Sequence, residues 1–373
     1  MGILSFFKKN NTGNINANKL SITDHTNSVE MPPEADFVKE RQEEGIGMKS
    51  ALVEYAALKR GHKVDRLSEK IIIVHTNYGH TFAFTQMNGI SSSRIGKYLC
   101  DRKHDARYIL KGKDISVVES EVFGFYEYNQ AVSYINKIGF PVVVKPTNMS
   151  RGKGITTNIK SIDEFQTAWE KGFNAYKSNR KAKQLLIERH VNGDDFRLFV
   201  VGNKVVSATH RKRANVVGNG QSTVLQLIQL KNEERAENPY LSNYLIPEEH
   251  EQLDLLVKKE ITLDYVPGKG EHVILRSQSN LSAGGDSVDV TDVAHPEFLS
   301  MAVKAVAAIP GVEYGGVDVI TPDISAKPDI DNHIISEIEY SPAPLAHFPY
   351  KGKNRDMAGA VIDHYLLKNK TKL

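Results

Sequence analysis

The sequence predicts an α+β fold built from several layers. Segments with helical spacing of apolar residues alternate with short β-branched runs along most of the chain. The run FRLFVVGNKVVSATHR has the form of an antiparallel hairpin, because two β-rich halves are joined by Gly202-Asn203. Since such hairpins interrupt the alternation, we expect several mixed layers rather than one doubly wound parallel sheet.

The elements of the first half follow from these patterns. Helical spacing occurs in SALVEYAALKRG, in SSSRIGKYLCDRKHDARYIL and in EYNQAVSYINKIG. Gly61 closes the first of these helices, serines open the second, and Gly139 ends the third. The runs IIIVHTN, ISVVESEVF and PVVVKP have the β-branched content of strands.

The second half continues in the same way. SIDEFQTAWEKGFNAYKS is a predicted helix with Ser161 as N-cap and Glu164 at the capping-box position. VLQLIQLKNEER and HPEFLSMAVKAVAAI are further predicted helices. QLLIERHV, EHVILRSQSN, GGVDVIT and HIISEIEYS are predicted strands, and LSAGGDS is a glycine-containing loop.

Composition bounds the class of protein. A chain of 373 residues can hold two or three domains, and 40% apolar with 25% charged residues is typical of a soluble globular protein. A net charge of +3 gives no argument for nucleic-acid binding. Cys100 is the only cysteine, which excludes a disulfide within the chain and suits a reducing, cytoplasmic setting. No apolar run approaches ~20 residues, so we expect no membrane span.

The N-terminal segment has the composition of a tail. Residues 8 to about 47 are rich in Asn, Thr, Glu, Lys and Pro, so we expect a flexible polar tail over residues 1–47. The start, MGILSFFKKN, lacks the apolar length of a signal peptide, and Phe6 stands where myristoylation needs Ser or Thr. A frayed end and an apolar contact with a membrane or partner are the two alternatives for this start.

The stretch PVVVKPTNMSRGKGITT places a lysine between a buried strand and a glycine-rich loop. Backbone N–H groups of such a loop bind anions, and Lys145 and Lys153 add positive charge. The stretch does not fit a Walker A loop, because Gly154 stands where Ser or Thr is needed and a strand follows instead of a helix. A hairpin lid over a nucleotide and an ordinary exposed turn both fit it.

Three carboxylates lie in two late strands. Glu337 and Glu339 point to the same face because strand side chains alternate, and Asp318 lies in a neighbouring strand pattern. Carboxylates held this close repel one another unless a cation separates them, and an all-oxygen set suits Mg²⁺. The alternative is a solvated edge strand with its charges on the wet face.

Other polar residues at strands fit a nucleotide. Glu188 is suited to accept a hydrogen bond from an adenine amino group, and Asp195 to bind ribose hydroxyls. Arg197, Arg211 and Arg276 are suited to spread positive charge around a transferring phosphoryl group. Each of these arginines taken alone is equally well explained by a surface salt bridge.

Long stretches of the chain resemble the ATP-grasp superfamily of carboxylate–amine ligases. They are VVVKPTNMSRGKGIT, LIERHVNGDDFRLFVVGNKVVSATHRKRANVVGNGQSTV, VILRSQSNLSAGGDSVDVTD, GGVDVI and SEIEYSPAPLAHFPYKGKNR, in the order of the family. The likeness covers about residues 48 to 367. It is strongest to the ATP-grasp half of bifunctional glutamate–cysteine ligase/glutathione synthetases, and next to cyanophycin synthetases.

The resemblance implies a domain arrangement. An ATP-grasp fold holds its nucleotide between two α+β subdomains, here expected at 101–191, with the lid loop, and at 192–373, with the magnesium site. A small α/β domain at 48–100 is expected before them. The resemblance favours dimers or tetramers, and a homodimer is our expectation.

The resemblance also assigns residues. Lys145 matches a lysine that contacts the phosphates, and Lys103, or alternatively Arg107, matches an earlier basic residue. The lid loop holds Ser150, Gly152, Lys153 and Gly154. The adenine hinge holds Glu188, Arg189, His190 and Val191, and Asp195 follows at the ribose. Asp318, Glu337 and Glu339 match the magnesium positions, where two ions are expected and Mn²⁺ is an alternative. Asn280, Ser282, Gly284 and Gly285 match a loop near the acceptor.

Two residues depart from the family pattern. Glu339 stands where the last metal position usually holds asparagine, and it adds negative charge near ATP. Ser341 stands before a proline where the glutathione enzymes show asparagine. The two changes argue against glutathione as the product, and they are also what a weakened catalyst would show.

The expected reaction joins a carboxylate to an amine. ATP phosphorylates the carboxylate, the amine attacks the acyl phosphate, and phosphate leaves. Amino acids or small peptides are the expected substrates. Arg197, Arg211 and Arg276 are the candidates for charge stabilisation, and a late basic set is suited to a substrate carboxylate: His347, Lys351, Lys353 and Arg355.

Two alternatives remain. One is a ligase that modifies a peptide or protein, with the polar tail and Arg211-Lys212-Arg213 contacting an acidic chain. The other is a nucleotide-binding module that has lost activity through Glu339.

Overall fold

The computed structural model describes residues 31–147, 153–176, 183–329 and 332–370. The α-helices among them are α1 (Glu34–Glu43), α2 (Met48–Lys59), α3 (Arg94–Asp101), α4 (Lys103–Lys111), α5 (Tyr128–Ile138), α6 (Ile162–Asn174), α7 (Val224–Glu237), α8 (Asp254–Lys258), α9 (Pro296–Ala308) and α10 (Met357–Lys370). The strands are β1 (Lys63–Arg66), β2 (Ile71–His75), β3 (Thr81–Thr85), β4 (Ser120–Gly124), β5 (Val142–Pro146), β6 (Thr156–Ile159), β7 (Gln184–Arg189), β8 (Asp194–Val201), β9 (Lys204–Lys212), β10 (Asn215–Val217), β11 (His272–Ile274), β12 (Asp286–Asp289), β13 (Tyr314–Thr321) and β14 (Ile334–Glu339).

The N-terminal part is a three-stranded antiparallel sheet, β1-β2-β3, covered by α1 and α2. Its core is shared with the end of the chain, because Leu52 and Ile72 lie in one hydrophobic cluster with Val361 and Tyr365 of α10. Phe199 of β8 belongs to the same cluster. The first sheet is therefore packed onto the C-terminal part and shares its interior.

The predicted tail over residues 1–47 is wrong for residues 34–47. Phe37 and Val38 of α1 are buried, as is Ile46 in the turn that follows. The Phe37 ring packs 5.3 Å from that of Tyr55, and Arg41 forms a salt bridge of 3.0 Å with Glu54. A few apolar side chains anchor this polar helix, because burial depends on a docking face rather than on mean composition. The apolar start proposed for contact with a membrane or partner lies outside the described residues.

The middle part is a four-stranded antiparallel sheet in the order β4-β7-β5-β6. Helices α5 and α6 pack on one face of it through Ile135, Phe165 and Trp169. Ser161 caps α6 by accepting a hydrogen bond from the Glu164 N–H, as the sequence predicts. All five residues of β5 are buried, so Lys145 starts from a position inside the protein.

The C-terminal part is a five-stranded antiparallel sheet in the order β12-β9-β8-β13-β14. The predicted hairpin is confirmed as β8 and β9, and Gly202 takes the left-handed φ of 59° that its turn requires. Helix α9 covers one face through Phe298 and Val306. The opposite face therefore presents polar residues of β8, β9, β13 and β14 toward the middle sheet.

Residues 213–285 form an insertion between β9 and β12. It holds the two-stranded sheet β10-β11 and the helices α7 and α8, around a cluster that includes Ile228, Leu253 and Val273. Helix α7 begins with a capping box between Thr223 and Gln226. In the described part of the chain, no helix combines the length and the apolar character that a membrane span requires.

Candidate active site

A cleft of about 1350 Å³ lies between the four-stranded and the five-stranded sheets. Lys145 and Thr157 line it from the first sheet, and Asp195 and Asp318 from the second. It contains these residues that the sequence singles out: Lys103, Lys145, Asp195, Arg197, Arg211, Arg276, Asn280, Ser282, Asp318, Glu337, Glu339 and Ser341. The fold thus gathers side chains that lie up to 238 positions apart, from Lys103 to Ser341.

The buried centre of the cleft is Asp318 on β13. Arg197 donates two hydrogen bonds to its carboxylate, of 2.7 and 2.8 Å, and Arg211 donates one of 2.9 Å. Burial alone would raise the pKa of Asp318, but the two guanidinium groups outweigh burial and hold that pKa well below its usual range. Asp318 is therefore a permanent anion between two arginines.

The other two acidic residues lie on the neighbouring strand. Glu337 of β14 stands opposite Asp318, and Glu339 stands opposite Gly316, so the register places all three carboxylates on one face. Glu337 forms an ion pair with Lys103, whereas Glu339 is half-exposed and its carboxylate lies 3.8 Å from Arg197. Each predicted metal ligand is thus next to a cation of the protein.

The three carboxylates do not form a closed metal cluster. In the described ranges, one group of three His, Cys, Asp or Glu side chains has its ligand atoms within 4.8 Å of one another. It consists of Glu34, His347 and Asp356. Asp318, Glu337 and Glu339 do not form such a group, and each faces a lysine or arginine instead. Their oxygen ligands and shared face fit a hard divalent cation, and the metal site stays a prediction.

Lys145 belongs to a buried ionic triad. Its ammonium lies 2.5 Å from Glu188, and the other oxygen of that carboxylate lies 2.7 Å from Arg107. Burial lowers the pKa of Lys145. Burial would raise the pKa of Glu188, but the charges of Lys145 and Arg107 keep that pKa low. Arg107 also donates a hydrogen bond of 2.9 Å to the Ser336 carbonyl. Of the two predicted basic residues, Lys103 lines the cleft and Arg107 lies behind it.

Glu188 has a structural role in this triad. Both of its carboxylate oxygens face cations, which tie β7 to β5 and α4, and its contact with the adenine amino group stays a prediction. The rest of the predicted hinge lies outside the cleft lining. There the backbone N–H groups of Arg189 and His190 donate to Glu119 and Pro141, and Val191 is half-exposed.

The lid loop is described in part. Ser150 and Gly152 lie outside the described residues, while Lys153 and Gly154 form a turn that leads into β6. Gly154 has a φ of +72°, and a Cβ there would lie 2.7 Å from Ala175, so glycine is required. Ile155 and Thr157 follow it along the cleft wall.

The loop after β11 supplies the opposite wall. Arg276, Asn280 and Ser282 line the cleft, and the Nε atom of Arg276 is buried with no hydrogen-bond partner in the part of the chain that the structure describes. Gly284 and Gly285 lie behind this loop and shape it. A Cβ on Gly285 would lie 2.6 Å from the Lys212 carbonyl oxygen. The two glycines therefore allow close packing, and they do not line the cleft.

Two predicted substrate residues lie away from the cleft lining. His347 is buried, and its Nε2 accepts a hydrogen bond of 3.0 Å from the Ala358 N–H at the start of α10. Arg355 pairs with Asp289 at 2.7 Å and with Asp292 at 2.9 Å. These contacts do not support the prediction that the two residues bind a substrate carboxylate, which stays untested. Each residue stabilises the segment before α10 through these contacts.

The remaining late lysines are also outside the cleft lining. Lys353 pairs with Asp292 at 2.7 Å, and Lys351 lies over the ring of Tyr350, 5.7 Å from its centroid. Neither therefore supports the carboxylate contact that the sequence suggested for it.

The cleft also contains residues that the sequence reasoning missed. Lys49 reaches it from α2, where the ammonium donates to the carbonyl and the hydroxyl oxygen of Ser341 at 2.7 and 3.1 Å. Tyr240 and Tyr244 reach it from the insertion. No local pattern marks these residues, because only the packing of distant segments brings them to the cleft.

The comparison with protein families gives a match to a RimK-like ATP-grasp domain over residues 100–236. The chain belongs to the ATP-grasp superfamily. The matched range contains Lys103, Lys145 and Arg211 of this ATP-grasp protein, which line the cleft from α4, β5 and β9.

Sequence relatives agree with that assignment. The ATP-grasp chain is 31% identical to a cyanophycin synthetase of Trichormus variabilis over 326 residues, which cover 85% of this chain and 35% of the relative. It is 31% identical to the glutathione biosynthesis bifunctional protein GshAB of Mannheimia succiniciproducens over 319 residues, which cover 83% and 41%. The chain thus spans less than half of these relatives.

A solved structure shows the same fold. The bifunctional glutathione synthetase from Pasteurella multocida superposes with a TM-score of 0.67 and 26% identity. The superposition covers 87% of this ATP-grasp chain and 44% of that protein. The expected ATP-grasp fold is therefore confirmed.

Proposed function

We propose that this chain is an ATP-dependent carboxylate–amine ligase that forms an amide bond between amino-acid or small-peptide substrates. The observation that carries the proposal is the cleft that cations line from several elements: Lys103 of α4, Lys145 of β5, Arg197 of β8, Arg211 of β9 and Arg276 of the loop after β11. A volume of about 1350 Å³ leaves room for a nucleotide together with a second ligand.

The cations are placed to bind the triphosphate of ATP. Among the described residues, the buried Nε atoms of Arg211 and Arg276 have no hydrogen-bond partner, which leaves donors for phosphate oxygens. Lys145 is fixed by Glu188 and cannot swing to solvent. Positive groups held in advance around a transferring phosphoryl group lower the barrier without reorganising during the step.

Asp318, Glu337 and Glu339 are the residues that would hold Mg²⁺. When bound there, the ion supplies neutralising charge beside the phosphate oxygens. Arg197 and Arg211 keep Asp318 ionised at every physiological pH through their hydrogen bonds. Lys103, released from Glu337, is then free to contact a phosphate.

The proposed reaction has two steps. A substrate carboxylate oxygen attacks the γ-phosphorus of ATP, so that a C–O–P bond forms and ADP leaves. The substrate amine then attacks the acyl carbon, the C–O bond breaks, phosphate leaves, and the nitrogen loses a proton to give the amide.

The test is a screen for ADP release with pairs of amino acids and dipeptides, with mass spectrometry of the product. Lys145→Ala and Glu337→Gln are each expected to abolish ADP formation, because they remove a phosphate contact and a metal ligand. Lys304→Ala, on the exposed side of α9, is the matched control and is expected to turn over normally.

Circular dichroism establishes that each variant is folded, and Glu337→Gln carries the test if Lys145→Ala does not fold. Normal turnover in either folded variant contradicts the assigned roles. Absence of ADP release with every pair refutes the ligase.

A further inference from the structure

The N-terminal part of the chain contributes a cation to the cleft. Lys49 is the second residue of α2, and its ammonium donates to the carbonyl oxygen of Ser341 at 2.7 Å and to its hydroxyl oxygen at 3.1 Å. Both residues line the cleft. A helix outside the two nucleotide-binding sheets therefore reaches the wall just beyond β14.

The Lys49 ammonium and the Ser341 hydroxyl each keep one hydrogen that these contacts do not use. A lysine ammonium has three hydrogens, of which Lys49 gives two to Ser341. The hydroxyl oxygen of Ser341 accepts from Lys49 and also from Asn88 at 2.9 Å, which uses both of its lone pairs. The third ammonium hydrogen and the hydroxyl hydrogen are adjacent donors, and two adjacent donors match the two oxygens of a carboxylate.

The charge of Lys49 also calls for an anion. Lys103 pairs with Glu337 and Lys145 with Glu188. For Lys49, by contrast, the described residues offer no carboxylate oxygen within 4.0 Å, and both of its acceptors are neutral. Burial lowers the pKa of Lys49 to about 8, although the nearby charge of Glu339 opposes this shift. An anion in direct contact would further reduce the cost of burying the Lys49 charge.

We propose that Lys49 and Ser341 bind a carboxylate of the substrate that is not the one activated by ATP. This inference rests on the proposed function. Ser341 lies two residues past the end of β14, on the same stretch of chain as Glu337 and Glu339. Since Glu337 faces Lys103, the subsite lies on the cleft wall beyond these two carboxylates. It suits the second carboxylate of an amino diacid or the C-terminal carboxylate of a peptide.

The kinetic test pairs a variant with a substrate analogue. The substrate pair found by ADP release is compared with the analogue in which the non-reacting carboxylate is an amide. Lys49→Met keeps the aliphatic stem and is expected to lower kcat/KM for the acid about 10-fold to 100-fold, the range for a charge-assisted hydrogen bond. It is expected to change kcat/KM for the amide about 2-fold at most, and to leave the KM for ATP unchanged.

Lys49→Arg keeps the charge and is expected to recover part of the loss on the acid. An equal loss on acid and amide would overturn the inference, because Lys49 would then only clasp α2 to the end of β14.

A second measurement does not depend on turnover. Acetylation of Lys49 by acetic anhydride is followed by mass spectrometry in the presence of succinate or of its diamide, with exposed Lys304 as the internal reference. Succinate is expected to slow acetylation of Lys49 several-fold relative to Lys304, and the diamide is not. Equal slowing by both probes, or by neither, overturns the subsite. If no pair releases ADP, the ligase is refuted and this measurement still decides the inference.

Discussion

The substitution Glu188→Gln separates two roles for one carboxylate. In the structure, Glu188 lies between Lys145 at 2.5 Å and Arg107 at 2.7 Å, and all three side chains are buried. The amide keeps the shape of the side chain and removes its charge. Two buried cations would then face each other without their common counterion.

The expected loss of stability follows from that geometry. Removing one partner of a buried ion pair costs about 3–5 kcal/mol, because an uncompensated charge stays buried. For 373 residues, the entropy of unfolding is about 0.8 kcal/mol/K at about 2.1 cal/mol/K per residue. Glu188→Gln should therefore lower the thermal midpoint by about 4–6 °C.

Differential scanning calorimetry on the full chain measures this shift. Glu121→Gln is the control, because Glu121 is an exposed carboxylate on the neighbouring strand β4 and should change stability by less than about 0.5 kcal/mol. A normal midpoint for Glu188→Gln with a raised KM for ATP would refute the triad argument, and it would support Glu188 as an adenine contact.

Two further predictions concern the ends of the described chain. Deleting residues 1–47 should lower the stability by about 3–6 kcal/mol relative to deleting residues 1–30, since it also removes buried Phe37 and Val38; equal midpoints of the two truncated chains in calorimetry would contradict the packing of α1. Burial opposes ionisation of Glu313, but hydrogen bonds from Lys368 and His364 lower its pKa to about 2. Its contribution to stability is therefore present above the ordinary carboxyl pKa of about 4.3 and is lost as pH falls from there toward 2. Glu313→Gln should be less stable than the natural chain at pH 7 and should converge with it near pH 2 in thermal melts; a constant difference across that range would contradict the ion pair.

The sequence correctly predicted which side chains share a strand face in the site and which two strands form the hairpin. The period of two placed Glu337 and Glu339 on one face, and the hairpin pattern identified β8 and β9 as neighbours. These features are local, because the alternation of a strand and the chemistry of a short turn are written in consecutive residues.

Partners of buried charges could not be read in the same way. The sequence shows Glu188 at the end of an apolar strand, which fits an adenine contact and a counterion equally well. Only the packing of α4 against β7 and β5 places Arg107 and Lys145 on its two oxygens. Lys49 was missed for the same reason, since its partner Ser341 is 292 positions away.

Of the three N-terminal strands, β2 was predicted from IIIVHTN, and β1 and β3 were missed for a different reason. TFAFT has clean alternation, and its side chains are exposed and buried in turn in β3, but the segment is only five residues long. Short strands give weak periodic signals, and their stability comes from pairing with β2.

The shared core of the first sheet and α10 has a consequence for synthesis. Phe82 and Phe84 of β3 pack against Tyr365, with ring centroids 5.3 and 5.0 Å apart. Nearly three hundred residues must be translated between these aromatic partners. The core of the N-terminal sheet therefore stays incomplete until α10 has been synthesised. A nascent chain that stops before Tyr365 would leave Phe82 and Phe84 without this partner and would expose their apolar surface to chaperones.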